Sequence, residues 1–447
     1  MFNRNAINDL KKWTDSPDRK PLILRGARQV GKTSLVNLFS KNFDNYIYLN
    51  LEIPSEAKLF QRELSISDLF QSILLNKNIS IKGKTLLFID EIQNSPEAVN
   101  SLRYFYEELP ELYVIGAGSL LEVMMEMKNI SFPVGRVDML FLYPCNFIEF
   151  LKAGDYNQAL EIYNKIPIPD FALPELFKLF HEYALIGGMP EIVSKYNKSK
   201  KVTELNNTYQ SLLISYLDDV SKYSRNNSLG NIIRHCIKVS PFEAGKRITF
   251  AGFGNSNYRS REVGEALRTI ERAMLIYLLY PSTSLEIPII PDLKKKPRLQ
   301  FIDTGLLNFF ADLQSHFFSH DNLNSFYRGL IAEHIVGQEL IVLEKNNLKK
   351  QCFWVRESNQ SNAEVDFIIQ HKNLIIPIEV KSGKTGTLRS LHQFINNAES
   401  NFAIRLYYGK VELSENKTPE GKSYKLLNLP YFLAGKIHDY IDFFIDL

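Results

Sequence analysis

The chain has 447 residues, more than one hydrophobic core normally serves, so we expect two to four domains. Hydrophobic residues make up 45% and charged residues 23% of the composition, as in ordinary soluble globular proteins, and this excludes a largely disordered chain. The net charge of +3 comes from 53 basic and 50 acidic residues, so bulk charge gives no argument for nucleic-acid binding.

The cysteines and the first residues bear on the compartment. Cys145, Cys236 and Cys352 lie far apart without a C-x-x-C pair, which fits a reducing compartment and argues against a disulfide framework or a zinc site. Residues 1–13 have no apolar core typical of a signal peptide, and no uninterrupted apolar stretch reaches about 18 residues. We therefore expect a cytoplasmic protein with no membrane partner and with buried thiols.

The most informative motif follows an amphipathic helix predicted over 3–13 and an apolar strand predicted at 22–24. It is the G-x-x-x-x-G-K-[ST] pattern of a P-loop, in which backbone N–H groups surround phosphates at a helix N-terminus. Lys32 would supply a cation to the β- and γ-phosphates of ATP, and the Thr33 hydroxyl would face Mg²⁺. Because a predicted helix over 33–41 follows, a chance match is disfavoured. The predicted nucleotide-binding residues are Gly26, Ala27, Arg28, Gln29, Val30, Gly31, Lys32, Thr33 and Ser34.

A second strand is predicted at 46–50 and a helix at 66–75, and a buried strand at 85–89 then runs directly into Asp90 and Glu91. This is a Walker B pattern. Asp90 at the carboxyl end of the strand can bind Mg²⁺ opposite the P-loop, and Glu91 can polarise the attacking water. A strand that ends at a polar turn would give the same letters, but the upstream P-loop favours the catalytic interpretation.

Two weaker candidates follow. A strand predicted at 112–115 leads to Ser119, which could sense a γ-phosphate or water, or could simply cap the helix predicted at 120–127. Arg136, ahead of a strand predicted at 137–142, is a candidate arginine finger, since a guanidinium stabilises charge on a transferring phosphoryl group. A surface arginine fits the sequence equally well.

Five motifs follow one another along the chain: GARQVGKT, FIDEIQ, GAGS, VGR and YPCNFIEF. In this order they resemble the motifs of bacterial and archaeal AAA-like P-loop ATPases whose C-terminal half is a nuclease-like domain of unknown function. The resemblance covers essentially the whole chain and implies a parallel sheet in which a sensor strand separates the Walker A and Walker B strands. It also implies homo-oligomers in which an arginine completes the site, so Arg136 would act in cis or in trans.

The middle of the chain, 144–220, is predicted to be helical, with one helix over 173–186. The Gly188-Met189-Pro190 run that follows resembles the lid motif of related ATPases, although a glycine and proline helix stop needs no ligand. Two further helices, the second over 260–279, suit a winged helix that binds DNA phosphates. Interleaved glutamates also fit a solvated face. The basic residues concerned are Arg259, Arg261, Arg268, Arg272, Lys294, Lys295, Lys296 and Arg298.

The last part has the order helix, strand, strand, helix, strand, and it looks like the PD-(D/E)XK nuclease core. Two antiparallel strands would bring Asp366 and Glu379 to one point, with Lys381 on the same face as Glu379. Together with Glu333 these carboxylates would hold Mg²⁺ or Mn²⁺, and Lys381 would position or activate water for phosphodiester cleavage, assisted by Gln393. An exposed alternating strand, or a scaffold that has lost activity, fits the same letters.

The sequence thus predicts an α/β protein that begins with an AAA-like P-loop ATPase and ends with a restriction-endonuclease-like domain. We expect a Mg²⁺-dependent ATPase that acts on DNA as a homo-oligomer. The alternative is a nucleotide-controlled regulatory or signalling switch whose C-terminal domain only binds. The predicted parts are the ATPase core at 1–150, a helical lid or linker at 151–220, a winged-helix-like region at 221–300 and the nuclease-like domain at 301–447.

Overall fold

A computed structural model describes residues 2–119, 121, 123, 133, 135–314, 330–344, 350–357, 362–383 and 388–445. The predicted helix at 120–127 therefore lies almost entirely outside the described residues. None of the described helices is long and apolar enough to cross a membrane. Cys145, Cys236 and Cys352 are buried free thiols, as expected.

The N-terminal part is built on a parallel sheet of five strands in the order β2-β3-β4-β1-β5. The Walker A strand β1 and the Walker B strand β3 flank β4, which confirms the predicted order. Alternation along β1 sends Leu22 and Leu24 into one hydrophobic core and Ile23 into the other, so both faces of the sheet are covered. The strands are β1 Leu22–Gly26, β2 Asn45–Asn50, β3 Thr85–Asp90, β4 Tyr113–Gly118 and β5 Asp138–Leu142.

Helices cover this sheet and continue beyond it. Those of the first part are Ala6–Thr14, Lys32–Phe39, Pro54–Ala57, Ile66–Lys77 and Pro96–Glu108. Those of the helical part are Phe147–Ala153, Asn157–Tyr163, Leu173–Ile186, Pro190–Ser199, Asn206–Asp218, Val220–Tyr223 and Asn227–Glu243. Short 3₁₀ turns are formed by Ser40–Asn42, Ile92–Asn94, Asp170–Ala172, Val202–Leu205, Phe253–Asn255 and Tyr431–Lys436.

The prediction of one helix over 260–279 is wrong for residues 273–279. The helix Ser260–Arg272 stops before Met274, whose φ of +56° breaks the helical path. The following Ile276–Leu279 (β6) pairs with Arg298–Phe301 (β8) in antiparallel orientation. The isoleucine, tyrosine and leucines of β6 are compatible with a strand as well as with a helix, and pairing with a distant segment determines which one forms.

The C-terminal part is a mixed sheet of seven strands in the order β13-β14-β12-β11-β10-β9-β7. The predicted α-β-β-α-β order is present, and β10 and β11 are antiparallel, as expected. Strands β7, β9, β13 and β14 were not predicted. The strands are β7 Pro281–Ser282, β9 Cys352–Glu357, β10 Asn362–His371, β11 Leu374–Lys381, β12 Phe402–Tyr407, β13 Glu412–Lys417 and β14 Ser423–Pro430. The helices are Thr304–Phe310, Leu330–Leu343, Arg389–Asn397 and Ile437–Ile445.

Candidate functional site

A cavity of about 700 Å³ opens beside the P-loop, at the edge of the sheet where β1 and β3 end. Most of the predicted nucleotide-binding side chains line it, whereas Ala27 and Val30 are fully buried beneath the loop and support it. Leu38, Glu52, Glu191 and Ser194 also line the cavity, and no sequence motif marks them because only the fold brings them there. The predicted residues that line it are Arg28, Gln29, Gly31, Lys32, Thr33, Ser34, Glu91 and Ser119.

The conformation of the loop explains its glycines. Gly31 has a φ of +89° and immediately precedes the helix Lys32–Phe39, a left-handed position that favours glycine. A Cβ atom at Gly26 would lie 2.4 Å from the carbonyl oxygen of Leu142 on the neighbouring strand. Lys32 Nζ donates hydrogen bonds to the carbonyl oxygens of Gly26 and Ala27, at 3.0 Å each. Burial lowers the pKa of Lys32 to about 8, although Glu91 and Asp90 favour its charged form.

The P-loop and the Walker B strand meet at one hydrogen bond. Thr33 Oγ1 donates to Asp90 Oδ2 at 2.7 Å, and the Tyr48 hydroxyl donates to the same oxygen at 3.3 Å. The other oxygen of Asp90 accepts the Glu91 N–H at 3.1 Å. A hydroxyl beside a carboxylate is the hard oxygen donor set that Mg²⁺ prefers, so these residues fit the ion that the P-loop implies.

Glu91 is held in an unusual backbone conformation, with a φ of +52° directly after β3. Such conformations carry strain and cluster at functional sites. Its carboxylate accepts a hydrogen bond from the Gln93 side chain and faces the cavity. Burial raises the pKa of Glu91, although Gln93 and Lys32 oppose the shift. A carboxylate in this position can orient water and accept its proton.

Ser119 and Arg136 have different placements. Ser119 follows β4 and lines the cavity with Glu91. Arg136 precedes β5, whose register pairs Asp138 with Leu22 at the start of β1, so it lies at the opposite edge of the sheet from the P-loop. There its Nε donates to Glu107 at 2.8 Å. Within one chain the structure does not bring Arg136 to the cavity, and a role in trans stays a prediction.

The helical part contacts the P-loop at two points. Pro190 Cγ lies 3.7 Å from the position of a Cβ atom at Gly31, so the N-terminus of the helix Pro190–Ser199 faces the loop. Arg28 forms an ion pair with the buried carboxylate of Asp219, at the end of the helix Asn206–Asp218. Asp219 also pairs with Lys222 at 3.1 Å. The loop that would surround phosphates is therefore in contact with the helical part.

Of the predicted nuclease-like residues, Asp366 lies on β10 and Glu379 and Lys381 lie on β11, whereas Glu333 and Gln393 lie on helices. Asp366 Oδ2 accepts the Val380 N–H at 2.7 Å, and Lys381 Nζ lies 2.5 Å from Glu379 Oε1. The second carboxylate oxygen of Glu379 is buried without a hydrogen-bond partner. Gln393, which was expected to assist, instead accepts a hydrogen bond from Arg356 at 2.5 Å. The structure thus brings Asp366, Glu379 and Lys381 to one region of the sheet.

The carboxylates of this cluster influence one another. Burial, followed by the charge of Asp366, raises the pKa of both Glu333 and Glu379, and burial raises that of Asp366 while Arg298 opposes the shift. Among the described residues, however, no group of three or more histidine, cysteine, aspartate or glutamate side chains is placed to hold a metal ion. Glu333, Asp366 and Glu379 are neighbours, but they are not gathered as a three-ligand site.

The basic residues of the predicted winged helix divide into two sets. Arg261 and Arg268 are exposed on the helix Ser260–Arg272, and Lys294 and Lys296 are exposed between β6 and β8. Arg259 is exposed as well, and Arg272 Nε donates to the Arg268 carbonyl of its own helix. Of the eight, Lys295 and Arg298 pair with acidic residues of the C-terminal sheet. Arg298 is buried against Glu364, and Lys295 pairs with Glu357.

Three stretches of the chain match known families. Residues 18–151, which contain the P-loop, match the AAA domain family, and this match supports a P-loop ATPase fold for the N-terminal part. Residues 177–316 and 328–432 match two domains of unknown function, DUF8612 and DUF4143. Neither of those families assigns a chemistry to the C-terminal part.

The chain is 27% identical to the uncharacterized protein MJ1544 of Methanocaldococcus jannaschii over 375 residues, which are 79% of this chain and 73% of that protein. The Walker-type ATPase PABY2304 of Pyrococcus abyssi is similar with 16% identity and a TM-score of 0.45, covering 70% of this chain and 96% of that one. The ORC1 protein of Aeropyrum pernix, solved in complex with DNA, is similar with 13% identity and a TM-score of 0.30, and the match covers 71% of this chain and 93% of that one. These values are too low to transfer a substrate or partner.

Proposed function

We propose that the chain hydrolyses ATP with Mg²⁺ at the P-loop cavity. The observation that carries this proposal is the hydrogen bond that the buried Asp90 accepts from Thr33, which lines the cavity together with Lys32 and Glu91. Lys32 would bind the β- and γ-phosphates, and Glu91 would orient the attacking water and take its proton. Thr33 and Asp90 would hold Mg²⁺, which supplies charge neutralisation to the phosphates.

The test is phosphate release by the purified chain with ATP and Mg²⁺, compared with the same reaction in excess chelator. We expect turnover with Mg²⁺ and none with the chelator. Absence of turnover together with absence of ATP binding would overturn the proposal. Binding without turnover would support the site and point to a missing arginine, which a neighbouring chain would supply in a homo-oligomer.

We further propose that DNA is the macromolecular partner. The exposed Arg261 and Arg268 lie seven residues apart, and so on one face of their helix about 10 Å from each other. Lys294 and Lys296 add positive charge in the segment between β6 and β8. Phosphate contacts of this kind make binding strongly dependent on salt. Anisotropy of labelled duplex and single-stranded DNA at several salt concentrations tests the idea, and failure to bind either one at low salt would contradict it.

The sharpest form of the proposal gives the C-terminal cluster nuclease activity. The orphaned oxygen of Glu379, close to Asp366 and Lys381, supports it, because a buried carboxylate oxygen without a donor is suited to bind a cation. The chain would be incubated with linear, nicked and branched DNA, with Mg²⁺ or Mn²⁺, and with and without ATP. Cleavage that disappears in Asp366→Asn and Lys381→Ala would support this activity, and cleavage that persists in both would exclude the cluster as its source.

The alternative is a nucleotide-controlled switch whose C-terminal domain binds a partner without catalysis. The lack of a three-ligand metal group among the described residues favours it, as does the ion pair that occupies Lys381. A chain that hydrolyses ATP, changes its oligomeric state with nucleotide and never cuts DNA would support the switch. Metal-dependent cutting that Asp366→Asn abolishes would reject it.

A further inference from the structure

Two glycine-containing sequence runs that are distant in the chain meet in the core of the protein. One is Gly187-Gly188 at the end of the helix Leu173–Ile186, and the other is Asp303-Thr304-Gly305 after β8. A Cβ atom at Gly187 would lie 2.3 Å from Asp303 Oδ1, and one at Gly305 would lie 2.0 Å from the carbonyl oxygen of Ile186. Such contacts require shifts of the backbone, so the two runs fit together only because they carry glycine.

The carboxylate of Asp303 is the centre of this contact. Asp303 is fully buried, and it accepts the Gly188 N–H at 2.5 Å and the Leu306 N–H at 2.9 Å. The backbone N–H groups of Met189 and Gly305 also stabilise it. A charged acceptor makes stronger hydrogen bonds than a neutral one, and here it binds backbone donors of both runs.

The backbone that Asp303 holds leads directly to the nucleotide cavity. Pro190 and Glu191 follow Met189 and line the cavity, and Pro190 is the residue that approaches Gly31. From its other side, the Gly188 carbonyl accepts the Cys145 N–H at 2.7 Å. The segment 188–190 is thus held by hydrogen bonds of Gly188 to Asp303 and Cys145, and its Pro190 faces the P-loop.

We propose that Asp303 is a positioning residue of the nucleotide site, which holds the segment 188–190 in place as one wall of the cavity. The proposal rests on ATP binding at the P-loop. Asp303 itself touches no nucleotide and does no chemistry. Its effect on ATP passes through the backbone of Gly188 and Met189 and then through Pro190.

The protonation state of Asp303 gives this role a distinctive signature. Burial raises the pKa of Asp303 to about 6, against the opposing effect of its backbone donors. The protonated acid accepts N–H groups less well, so nucleotide affinity should fall as the pH falls through about 6. The surrounding groups titrate elsewhere: burial raises the pKa of Cys145 to about 12 and raises those of Tyr183, Tyr209 and Tyr216. Glu339, which accepts from Tyr183 at 2.8 Å, has its pKa raised by burial to about 7 and needs its own control.

The experiment is calorimetric titration of the full chain with a non-hydrolysable ATP analogue and Mg²⁺, for wild type and Asp303→Asn, between pH 5 and 7.5. Because the analogue's own ionisation affects both proteins, the ratio of the two Kd values is the quantity to follow. We expect Asp303→Asn to bind roughly tenfold more weakly at pH 7.5 and about equally at pH 5. Asp18→Asn, at an exposed position, should match wild type throughout.

Three results would overturn the proposal. The first is a folded Asp303→Asn whose Kd equals that of wild type at pH 7.5. The second is a ratio that stays the same at all pH values, which would indicate a merely structural defect. The third is loss of the wild-type pH dependence in Glu339→Gln, which would assign the titration to Glu339. If wild type itself fails to bind the analogue, the proposed ATP site fails first, so the two failures are distinguishable.

A second measurement applies if Asp303→Asn does not fold. Hydrogen exchange of wild type, followed by mass spectrometry on peptides that contain 186–191, would be compared with and without the analogue at pH 7.5 and pH 5.5. We expect the analogue to slow exchange of the Gly188 and Met189 amides at pH 7.5 and to slow it less at pH 5.5, after correction for the intrinsic rates. Exchange that the analogue does not change at either pH would contradict the proposal.

Discussion

Thr33 Oγ1 and Asp90 Oδ2 are joined by a hydrogen bond of 2.7 Å, although their elements are not neighbours in the sheet. β4 lies between β1, which leads to Thr33, and β3, which ends at Asp90. Parallel strands place their carboxyl ends at one edge, and loops at that edge carry the ligand-binding groups of open α/β sheets. The bond therefore defines the point at which the proposed ATP chemistry takes place.

Replacement of Lys32 by alanine should abolish ATP turnover. Lys32 is the buried cation of the loop, and Arg28, the other cation of the motif, is already paired with Asp219. We expect phosphate release to fall by at least about a hundredfold. The matched control is Lys41→Ala, which removes an exposed lysine just beyond the same helix. Phosphate release by Lys32→Ala at the wild-type rate would refute the assignment.

Replacement of Glu91 by glutamine should separate binding from hydrolysis. The amide keeps the size of the side chain but cannot accept the proton of the attacking water, so turnover should fall by about 10²–10⁴-fold. The Kd for ATP with Mg²⁺ should stay within a few-fold of wild type. Glu63→Gln, at an exposed position, serves as the control in both assays. An equal loss of binding and turnover would instead assign Glu91 to the binding of nucleotide.

The charge-reversed variant Arg261→Glu/Arg268→Glu should weaken DNA binding and reduce its salt dependence. Removing two phosphate contacts should lower the slope of log K against log salt by about 2. The control is Lys41→Glu/Lys58→Glu, which makes the same change in net charge at exposed positions on the ATPase domain. If both variants lose affinity equally, a general charge effect is responsible and the proposed helix surface is wrong.

Glu339→Gln should flatten the dependence of stability on pH. Glu339 is buried on the helix Leu330–Leu343, and it accepts the Phe147 N–H at 3.0 Å and the Tyr183 hydroxyl at 2.8 Å. Its pKa is raised from 4.5 to about 7, so the folded state binds its proton more tightly than the unfolded state does. The resulting stability is present below pH 4.5 and is lost as the pH rises through 7.

The size of the expected change in unfolding free energy follows from the rise in the pKa of Glu339. Between pH 4.5 and 8 the wild type should lose about 3 kcal/mol of unfolding free energy relative to Glu339→Gln. Denaturant unfolding of the two proteins at several pH values measures it. A constant difference between them across this range would contradict the burial of an ionisable Glu339 at this contact.

The sequence predicts which residues meet beside the P-loop because the signals for them are local. The residues from Gly26 to Thr33 are contiguous, and the strand that ends at Asp90 is an apolar run with a polar stop. Parallel strand order then brings Thr33 and Asp90 together. The P-loop pattern alone therefore predicts most of the backbone arrangement from Gly26 to Thr33.

Other features depend on contacts between distant segments, and the sequence does not reveal them. Met274 interrupts an apolar run that is helical in pattern, and only pairing with β8 makes its second half a strand. Arg136 lies in a suggestive motif, yet its place ahead of β5 sends it to the far edge of the sheet. Asp303 and Gly188 each belong to a recognisable run, but their hydrogen bond spans 115 residues of chain. Such contacts are products of tertiary packing.

The proposed function requires that Thr33 and Asp90 hold Mg²⁺ beside a bound triphosphate. Isothermal titration of the full chain with a non-hydrolysable ATP analogue tests it most directly, in Mg²⁺ and in chelator, for wild type and Asp90→Asn. We expect saturable heat with one site per chain for wild type in Mg²⁺, and much weaker binding both in chelator and in Asp90→Asn with Mg²⁺. No heat from wild type with Mg²⁺, or equal affinity under all these conditions, would contradict it.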